Sequence, residues 1–565
     1  RAEGAKARGP APPGRDASPT TERLPAKSEP PAHRGRLLCA MPWPTAVLVA
    51  LAITLGVFFR FYGLGQKLVW HDEVSTRILA GGHLHDEWKA TLYTGRVIPV
   101  ADVLCYQHDN PGRSVLRTIA GLALDDPQHP PLYYVLARLW IGAVGDEVGA
   151  LRALSALFSL FCFPAIFWLS KELFRSSLVD WTSVALAAVS PLLVLYAQEA
   201  REYSLWTLLA LLSSAALLCA IRLSEGAAPI RRLAWAWGAY GVLTVLGLYT
   251  SFSTASVIAA HIAFLIVRER GRLTRVAKAS VATLALAALL FLPWVFTLFR
   301  SYDAFAVSMK WSREIVLPRL SLLRILAMNA SRITIDLWRE PNGVVAWLAV
   351  TVTLVLLVWA ALRATRWAPN QAGLLVGVLI VVPLALLLVP DLLFGGIRSV
   401  SARYVLPSWL AVEVALACLI AGDPRSPRVA RLAEAAFAAV LAVGVASCIG
   451  NARQVAVWTK GISYELPTVA AHINRSARPL VVGNMERYHP GNLMALGNLL
   501  EPRARMQFLR PEMEPDYVLP LDAGDVFLMS PTIQFREGLE AREHVRTRLV
   551  FEDIYLDLWA VDRAP

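Results

Sequence analysis

Charged residues are scarce in this chain. Only 17% of its 565 residues are Asp, Glu, Lys or Arg, and 56% are apolar, whereas soluble domains carry roughly 25% charged residues. This shortage excludes a disordered protein and disfavours a soluble enzyme. The six cysteines form no CxxC pair and no zinc-ligand spacing, so we predict no disulfide framework. The sequence also lacks Walker A, GxGxxG and GxSxG motifs, which leaves soluble nucleotide chemistry without support.

Long apolar runs dominate the sequence instead, and we interpret eleven of them as membrane spans. A spanning helix needs about 20 residues, with 17–25 the usual range. The apolar stretch 131–144 is short and contains Arg138, so we interpret it as an interfacial helix. The predicted spans are 45–62, 151–170, 180–197, 203–221, 233–250, 252–267, 277–298, 343–362, 371–390, 403–421 and 429–449.

The net charge of +12 fits this interpretation, because cytoplasmic loops of polytopic proteins are rich in Lys and Arg. All the basic clusters fall on one side of the membrane if 131–144 does not cross. The N-terminus is then cytoplasmic and the C-terminus lies outside. The bilayer, rather than nucleic acid, is the partner that this charge predicts. The clusters are the N-terminal tail, Lys171–Arg175, Arg222–Arg232, Arg268–Lys278, Arg363–Arg366 and Arg425–Arg431.

The chain divides into three regions by composition. Residues 1–44 hold nine prolines and eight basic against four acidic residues, which predicts a disordered basic cytoplasmic tail. Residues 45–450 form the transmembrane domain, with two large outer segments at 63–150 and 299–342. Residues 451–565 predict a small extracytoplasmic α/β domain. Its predicted strands are Leu480–Val482, Tyr517–Leu519, Val526–Met529 and Leu556–Val561.

Four polar motifs lie at the predicted outer face. None is specific alone, and each has a structural interpretation: acids at a helix N-terminus, an aromatic interface belt, or an Arg–Glu pair that stiffens a turn. Arginines on the outer side oppose the usual charge bias and therefore indicate an anionic partner such as a phosphate. The motifs are Trp70-His71-Asp72-Glu73, Gln128-His129-Pro130-Pro131-Leu132-Tyr133-Tyr134, Gln198-Glu199-Ala200-Arg201-Glu202-Tyr203 and Arg398-Ser399-Val400-Ser401-Ala402-Arg403-Tyr404.

The order of these motifs resembles that of the polytopic GT-C-fold glycosyltransferases that use lipid-linked sugars. The nearest group is the bacterial relatives of the protein O-mannosyltransferases and aminoarabinose transferases. The resemblance covers most of 45–421. It implies an all-α membrane fold with outer interfacial helices, in the bacterial cytoplasmic membrane. It also implies transfer of a sugar from a polyprenyl phosphate to an acceptor outside.

The resemblance carries over residue by residue. Asp72 matches the catalytic Asp of the first outer loop, with Glu73 beside it. His129 stands where aminoarabinose transferases have a Lys, which argues against that sugar. Glu199 and Arg201 fall in the second outer loop, where relatives place another acidic residue. The remaining residues predicted to bind donor phosphate or substrate are Tyr203, Arg403 and Tyr404.

Elementary chemistry agrees with these assignments. A departing phosphate needs cations rather than a general acid, and the candidates are Arg201, Arg403 and His129. The acceptor hydroxyl needs a base, for which Asp72 is the candidate, and a single base with direct displacement favours inversion. Retention would need a carboxylate nucleophile, which Glu73 or Glu199 would supply. The same carboxylates would suit a divalent cation, although no cofactor is firmly predicted.

Two alternatives compete with the transferase. A transporter or flippase of lipid-linked sugars would place charges near the bilayer midplane and often shows repeated halves, whereas these charges cluster at one face without a repeat. A membrane scaffold with a partner-binding outer domain would leave the dense charges at 198–202 unexplained. The sugar, the polyprenol length and the acceptor, whether glycan, lipid or protein, stay open.

Overall fold

Each predicted span corresponds to a helix in the computed structural model of the protein, except 180–197, which is divided between two helices. The structure describes residues 41–337, 343–367, 371–422, 426–484, 489–522 and 524–563. Residues from Met41 onward form one compact unit. The predicted tail lies outside the described residues up to position 40, and so do 338–342 of the second outer segment.

The first half of the chain contains the first membrane spans and the short helices of the predicted outer segment 63–150. They are α1 Trp43–Phe61, α2 His71–Ala80, α3 His85–Leu92, α4 Val100–Leu104, α5 Val115–Asp125, α6 Leu132–Val144, α7 Val148–Phe174, α8 Ser177–Val189, α9 Pro191–Ala197, α10 Tyr203–Glu225, α11 Ile230–Thr250, α12 Thr254–Arg268 and α13 Arg275–Arg300.

The second half contains the remaining long helices and the C-terminal region. Its helices are α14 Tyr302–Ser308, α15 Trp311–Glu314, α16 Arg319–Ser331, α17 Val344–Trp367, α18 Ala372–Phe394, α19 Leu406–Ala421, α20 Pro427–Arg453, α21 Leu466–Ile473, α22 Pro490–Gly497 and α23 Ile533–Glu543. Short 3-10 helices cover Cys105–Gln107, Arg398–Val400, Ala402–Val405, Trp458–Ser463 and Pro511–Met513.

Among the described residues, nine helices are long and apolar enough to cross a membrane, and α8 with α9 adds a tenth if this pair, bent by 60°, is one span. The predicted total of eleven depends on α12, which has only 15 residues. The 13 residues of α6 rise about 20 Å, which is short of the roughly 30 Å of a bilayer core. The polytopic all-α architecture predicted from the apolar runs is confirmed.

Ion pairs between helix ends place several of the basic clusters on one face. Arg222 Nη2 lies 2.8 Å from Glu172 Oε1 and joins the ends of α10 and α7. Arg268 pairs with Glu225 and joins the ends of α12 and α10. The charge pattern predicted that three of the basic clusters lie on the same side of the membrane. These three clusters are Lys171–Arg175, Arg222–Arg232 and Arg268–Lys278.

The bend between α8 and α9 is stabilised by a buried arginine of α1. Pro191 has no N–H to donate to the carbonyl of Ala187, and the N–H of Leu192 donates to Arg332 O instead of Ala188 O. The Arg60 guanidinium supplies the missing donors, with Nη2 3.0 Å from Ala187 O and Nη1 2.6 Å from Ala188 O. The Arg60 side chain of α1 thus donates hydrogen bonds to carbonyl groups in the last turn of α8, a helix that ends within the apolar region.

The C-terminal region folds as a six-stranded sheet that includes a strand from the first outer segment. The strand order is β1-β3-β2-β4-β6-β5. β2 is parallel to both β3 and β4, and the other pairings are antiparallel. The strands are β1 Val97–Pro99, β2 Leu480–Asn484, β3 Arg505–Leu509, β4 Val526–Met529, β5 Val545–Glu552 and β6 Asp557–Arg563.

The sheet shares its core with the first outer segment. Leu68, Val74 and Trp88 pack in one buried cluster with Leu493 and Phe508. One side of the sheet is thus built onto the segment that follows α1, whereas Leu480, Leu528 and Phe535 belong to a second buried cluster whose buried members all lie within 451–565.

One of the four predicted strands is wrong. Tyr517–Leu519 is not a strand, although Tyr517 and Leu519 are buried. Pro515 and Pro520 flank it, and proline removes the backbone donors that a strand ladder needs. Burial here comes from packing against α23, where the Tyr517 and Phe535 ring centroids lie 5.5 Å apart.

Replacing Arg60 tests the role assigned to it. Arg60→Leu leaves the carbonyls of Ala187 and Ala188 without donors in an apolar environment, at a cost of roughly 1–3 kcal/mol for each. We expect a clear loss of thermal stability in detergent. Arg222→Leu is the matched control, because Arg222 is 45% exposed in its ion pair. Equal losses for the two variants would contradict the capping role.

Candidate functional site

The site begins at the first turn of α2, where two adjacent carboxylates meet different surroundings. The Asp72 side chain is 18% exposed. Its Oδ1 lies 2.9 Å from His71 Nε2, and its Oδ2 lies 3.4 Å from Arg403 Nη1. Burial opposes ionisation, but the His71 imidazole and the Arg403 guanidinium hold the pKa of this carboxyl well below its usual range. Asp72 is therefore an ionised carboxylate at the mouth of a charged cluster.

Glu73 points into the protein and is 1% exposed. Arg152 donates from Nε to Oε1 at 2.8 Å and from Nη2 to Oε2 at 2.7 Å, and the N–H of Ala200 donates to Oε1 at 2.9 Å. Lys460 Nζ lies 3.4 Å from Oε2. Burial raises the pKa of Glu73, but Arg152 and Lys460 outweigh it and bring the value to about 2. Both oxygens of this carboxylate are occupied by protein donors.

Arg201 lies in the turn between α9 and α10 and reaches back to the α2 region. Its Nη1 donates to Tyr134 OH at 2.9 Å, to Thr76 Oγ1 at 3.1 Å and to Asp72 O at 3.3 Å. Its Nη2 lies 2.8 Å from His129 Nε2. The side chain is only 2% exposed. Arg201 thus lies beside Asp72, but both of its terminal nitrogens are engaged by protein groups.

His129 is oriented by a neighbour that the sequence did not single out. Its Nδ1 lies 2.8 Å from Asp126 Oδ2. Because the Arg201 guanidinium can only donate, the neutral ring accepts at Nε2 and donates from Nδ1 to Asp126. Burial lowers the pKa of His129, but Asp126 outweighs it and the pKa is raised overall. Glu202 lies 3.9 Å from Nε2 and also 3.3 Å from Arg201 Nε, so the expected Arg–Glu pair of the turn is present as well.

Arg403 precedes α19 and is the more accessible arginine, at 15% exposure. Its guanidinium carbon lies 5.3 Å from the Trp70 ring centroid, 5.2 Å from that of Tyr404 and 5.9 Å from that of Tyr203. The Arg201 guanidinium carbon lies 5.8 Å from the same Tyr203 ring. The two arginines, about 200 residues apart, therefore flank one tyrosine beside Asp72.

The turn that presents Arg403 is fixed by a buried aspartate near the end of α18. Asp391 Oδ2 accepts from the N–H of Ser399 at 2.7 Å and from its hydroxyl at 2.8 Å. Asp391 Oδ1 lies 2.8 Å from Arg398 Nη1. These bonds hold the start of the 3-10 turns that lead into α19.

Glu199 lies beneath the site rather than at its mouth, at 1% exposure. Its Oε1 accepts from Thr459 Oγ1 at 3.0 Å and lies 3.3 Å from Lys460 Nζ. Burial raises the pKa of Glu199, and Lys460 only partly offsets this effect. The residue is the second carboxylate, after Glu73, that the ammonium group of Lys460 contacts.

The structure thus brings all eight predicted site residues into one region, in two layers. Partly exposed side chains form the mouth: Asp72, His129, Arg403 and Tyr404. Buried side chains form the layer beneath: Glu73, Glu199, Arg201 and Tyr203.

Sequence reasoning missed the residues that neutralise or orient this cluster, namely Arg152, Asp126 and Lys460. Arg152 sits at the start of an apolar run, where basic residues usually reach the membrane surface, and Lys460 lies beyond the last predicted span. The only sequence signal for Asp126 was its place three residues before His129. Within the described chain, no group of three or more His, Cys, Asp or Glu is arranged to hold a metal ion.

The pairing of Lys460 with two buried carboxylates gives a pH-dependent prediction. Lys460→Met removes the cation that limits the pKa of Glu199, so folded Glu199 binds a proton more tightly than unfolded Glu199. Stability is then lost as pH rises above the ordinary glutamate range. We expect a deficit relative to the wild type that grows between about pH 5 and 8 and approaches roughly 3–5 kcal/mol. Thermal unfolding in detergent at several pH values measures it.

The double variant Lys460→Met/Glu199→Gln provides the control, because it removes the uncompensated carboxylate together with its cation. It should recover most of the lost stability at pH 8. A deficit that is independent of pH, or no recovery in the double variant, would contradict the assigned role of Lys460.

Comparison with known proteins places this site in context. The family model of dolichyl-phosphate-mannose-protein mannosyltransferases matches residues 128–296. ArnT from Cupriavidus metallidurans, solved with bound undecaprenyl phosphate, aligns with 92% of this chain and 98% of its own, at 14% identity and a TM-score of 0.50. An acceptor-peptide-tethered oligosaccharyltransferase from Archaeoglobus fulgidus aligns with 83% of this chain, at 12% identity and a TM-score of 0.49. This chain spans 64% of that protein's length. No curated protein matches the sequence.

The family match covers the part of the chain that holds His129, Glu199 and Arg201, whereas Asp72 and Arg403 lie outside it. The likeness to ArnT extends over nearly the whole chain and shows the fold. The resemblance predicted from the order of the four motifs is confirmed: the chain has the GT-C fold and resembles the protein O-mannosyltransferase and aminoarabinose transferase families of lipid-linked-sugar glycosyltransferases.

Proposed function

We propose that the protein is a membrane glycosyltransferase that moves a sugar from a polyprenyl phosphate to an acceptor hydroxyl. The reaction takes place on the outer face of the bacterial cytoplasmic membrane, with Asp72 as general base. The observation that carries the proposal is the partly exposed Asp72 carboxylate beside two arginines from distant segments. Such an arrangement suits a reaction in which one group leaves as an anion and another loses a proton.

Arg403 is the better placed cation for the leaving phosphate. It is more exposed than Arg201, whose terminal nitrogens are engaged by Tyr134 and His129. Guanidinium groups bind phosphate in a two-pronged geometry. The bound undecaprenyl phosphate of ArnT supports a lipid phosphate of this kind as the donor.

Arg201 has a different task in this proposal. Its contacts with Asp72 O, Thr76 and Tyr134 fix the first turn of α2 against the turn that follows α9. The positive charge lies close enough to stabilise negative charge at the mouth, because electrostatic interactions are strong in a buried site. Arg201 thus positions the base and contributes its charge without needing to contact the phosphate.

The distribution of carboxylates supports inversion at the anomeric carbon. Retention needs a second carboxylate that can reach that carbon as a nucleophile. Glu73 and Glu199 are each 1% exposed and paired with cations, and Glu202 is 4% exposed. Asp72 is the accessible carboxylate of this cluster, and a single base with direct displacement inverts the configuration.

A transporter or flippase gains no support from the structure. The charged cluster lies at one end of the helices, where α1 ends and α10 and α19 begin. The family match and the ArnT fold also point to transferases. A mass spectrum of lipid-linked sugars and envelope glycans, with and without the gene, tests the transferase directly. We expect an accumulated polyprenyl-phosphate sugar and a missing glycan, and unchanged spectra would contradict the proposal.

The base assignment predicts the effect of Asp72→Asn. Asparagine keeps the size and one acceptor oxygen but cannot take up a proton, so turnover should fall by about 10²–10⁴. Donor binding should remain. Asp86→Asn is the matched control, because Asp86 also lies in the first turn of an outer-segment helix but is exposed. Complementation of the glycan with each variant, at equal expression, measures the difference; normal glycan with Asp72→Asn would remove Asp72 from the mechanism.

The phosphate assignment predicts that substitutions of the two arginines change different kinetic constants. Arg403→Lys keeps the charge but loses the two-pronged geometry, so the KM for donor should rise by about 10- to 100-fold, as expected for loss of a charge-assisted hydrogen bond. Arg201→Lys should lower kcat more than it raises the donor KM. Arg319→Lys, at the exposed start of α16, is the control. An unchanged donor KM in Arg403→Lys would show that the phosphate binds elsewhere.

A further inference from the structure

The position of the leaving phosphate determines the side from which the acceptor enters, and this inference rests on the proposed transferase. In an inverting displacement, the bond between the anomeric carbon and the phosphate oxygen breaks while the acceptor oxygen bonds to that carbon from the opposite face. The electron pair of the broken bond leaves on the phosphate, and the hydroxyl proton passes to Asp72. With the phosphate at Arg403, the acceptor therefore enters from the side of Asp72 that faces away from Arg403.

The side chain on that side of Asp72 is His71. Its Nε2 lies 2.9 Å from Asp72 Oδ1, whereas Arg403 Nη1 lies 3.4 Å from Oδ2. Because an ionised carboxylate only accepts hydrogen bonds, the His71 Nε2–H donates to Asp72. In the neutral ring Nδ1 carries no proton, so the His71 ring has no N–H left with which to bind an acceptor.

The ring that packs against His71 belongs to His489, which immediately precedes α22 in the sheet region. The two ring centroids are 5.2 Å apart, in an edge-on arrangement. The N–H of Gly491 donates to His489 Nδ1 at 3.1 Å, so the neutral ring carries its proton on Nε2. His489 is exposed to solvent, and this Nε2–H is the donor that its ring offers to a ligand.

The surroundings of His489 keep its ring neutral. Although the residue as a whole is exposed, its ring lies among enough protein atoms that desolvation lowers the pKa of His489 to about 3. His71 lowers this pKa further, and so do His85 and Lys89 of α3, whereas Asp72 acts in the opposite direction. A neutral N–H donor suits an uncharged oxygen, such as that of a hydroxyl group.

Contacts between α22 and the first turn of α2 hold His489 in a fixed position relative to the proposed base. The N–H of His71 donates to Ser463 Oγ at 3.2 Å, and the Ser463 hydroxyl donates to Asn492 Oδ1 of α22. A Cβ on Gly491 would lie 3.2 Å from the His71 Cβ, so a glycine permits this close approach of the two helices.

We propose that His489 binds the acceptor and donates a hydrogen bond from Nε2 to an oxygen beside the reacting hydroxyl. The sheet region then contributes directly to acceptor binding, while Arg403 binds the donor. This role requires an acceptor that presents a second oxygen next to the hydroxyl that reacts, as the neighbouring hydroxyls of a sugar ring do.

The test measures KM values in proteoliposomes that contain the full chain. The donor is the polyprenyl-phosphate sugar that accumulates without the gene, and the acceptor probe is the envelope fraction of the same strain, which lacks the transferred sugar. His489→Phe keeps a ring against His71 but has no side-chain N–H. We expect its KM for the envelope acceptor to rise about tenfold, with the donor KM and the thermal stability unchanged. His489→Gln restores an N–H donor, so its acceptor KM should stay within about threefold of the wild type.

Two further variants make the result decisive. His472→Phe, in α21 of the same region, is the matched control and should keep the wild-type acceptor KM. His489→Ala removes the donor without adding bulk and should match His489→Phe. An unchanged acceptor KM in the Phe and Ala variants, an equal rise of the donor KM, or equal acceptor KM values for the Gln and Phe variants would overturn the role of His489. Absence of transfer by the wild-type protein would instead overturn the proposed function.

Discussion

The buried ion pair between Glu73 and Arg152 is the interaction on which the rest of the site depends. Arg152 belongs to α7, and it also donates to the carbonyls of Leu64 and Leu68, in the link between α1 and α2. Glu73 accepts from the N–H of Ala200. The pair therefore joins α7, the start of α2 and the turn before α10. Removing one partner of such a pair costs about 3–5 kcal/mol, because the other charge stays buried.

Helix geometry explains why two adjacent carboxylates have such different roles. Neighbouring residues on a helix point about 100° apart and do not face each other. When Glu73 is directed inward to Arg152, Asp72 is directed toward the mouth and Arg403. The buried carboxylate thereby sets the direction of the exposed one. Their pKa values are both lowered, but only Asp72 can meet a substrate.

The sequence predicted those features of the fold and the site that depend on patterns of neighbouring residues. Apolar runs located the helices, and the four motifs placed Asp72 and Arg403 in one region, because membrane crossings return the chain to the same face. Lys460 could not be predicted in this way, since its contacts with Glu73 and Glu199 span hundreds of residues and nothing nearby distinguishes it from a surface lysine. The same holds for β1, three residues whose pairing partners lie more than 400 positions later in the chain.

The charge balance of the cluster links donor binding to protonation. Its carboxylates Asp72, Glu73, Asp126, Glu199 and Glu202 outnumber the cations Arg152, Arg201, Arg403 and Lys460. An anionic donor adds further negative charge, and a nearby negative charge favours the protonated form of any titratable group. Burial raises the pKa of Glu199 and Asp126 raises that of His129, and an added negative charge would act on both groups in the same direction. In the proposed transfer, the leaving phosphate would carry one more negative charge than the donor ester, and this charge would favour the protonated forms of these groups most strongly just after transfer.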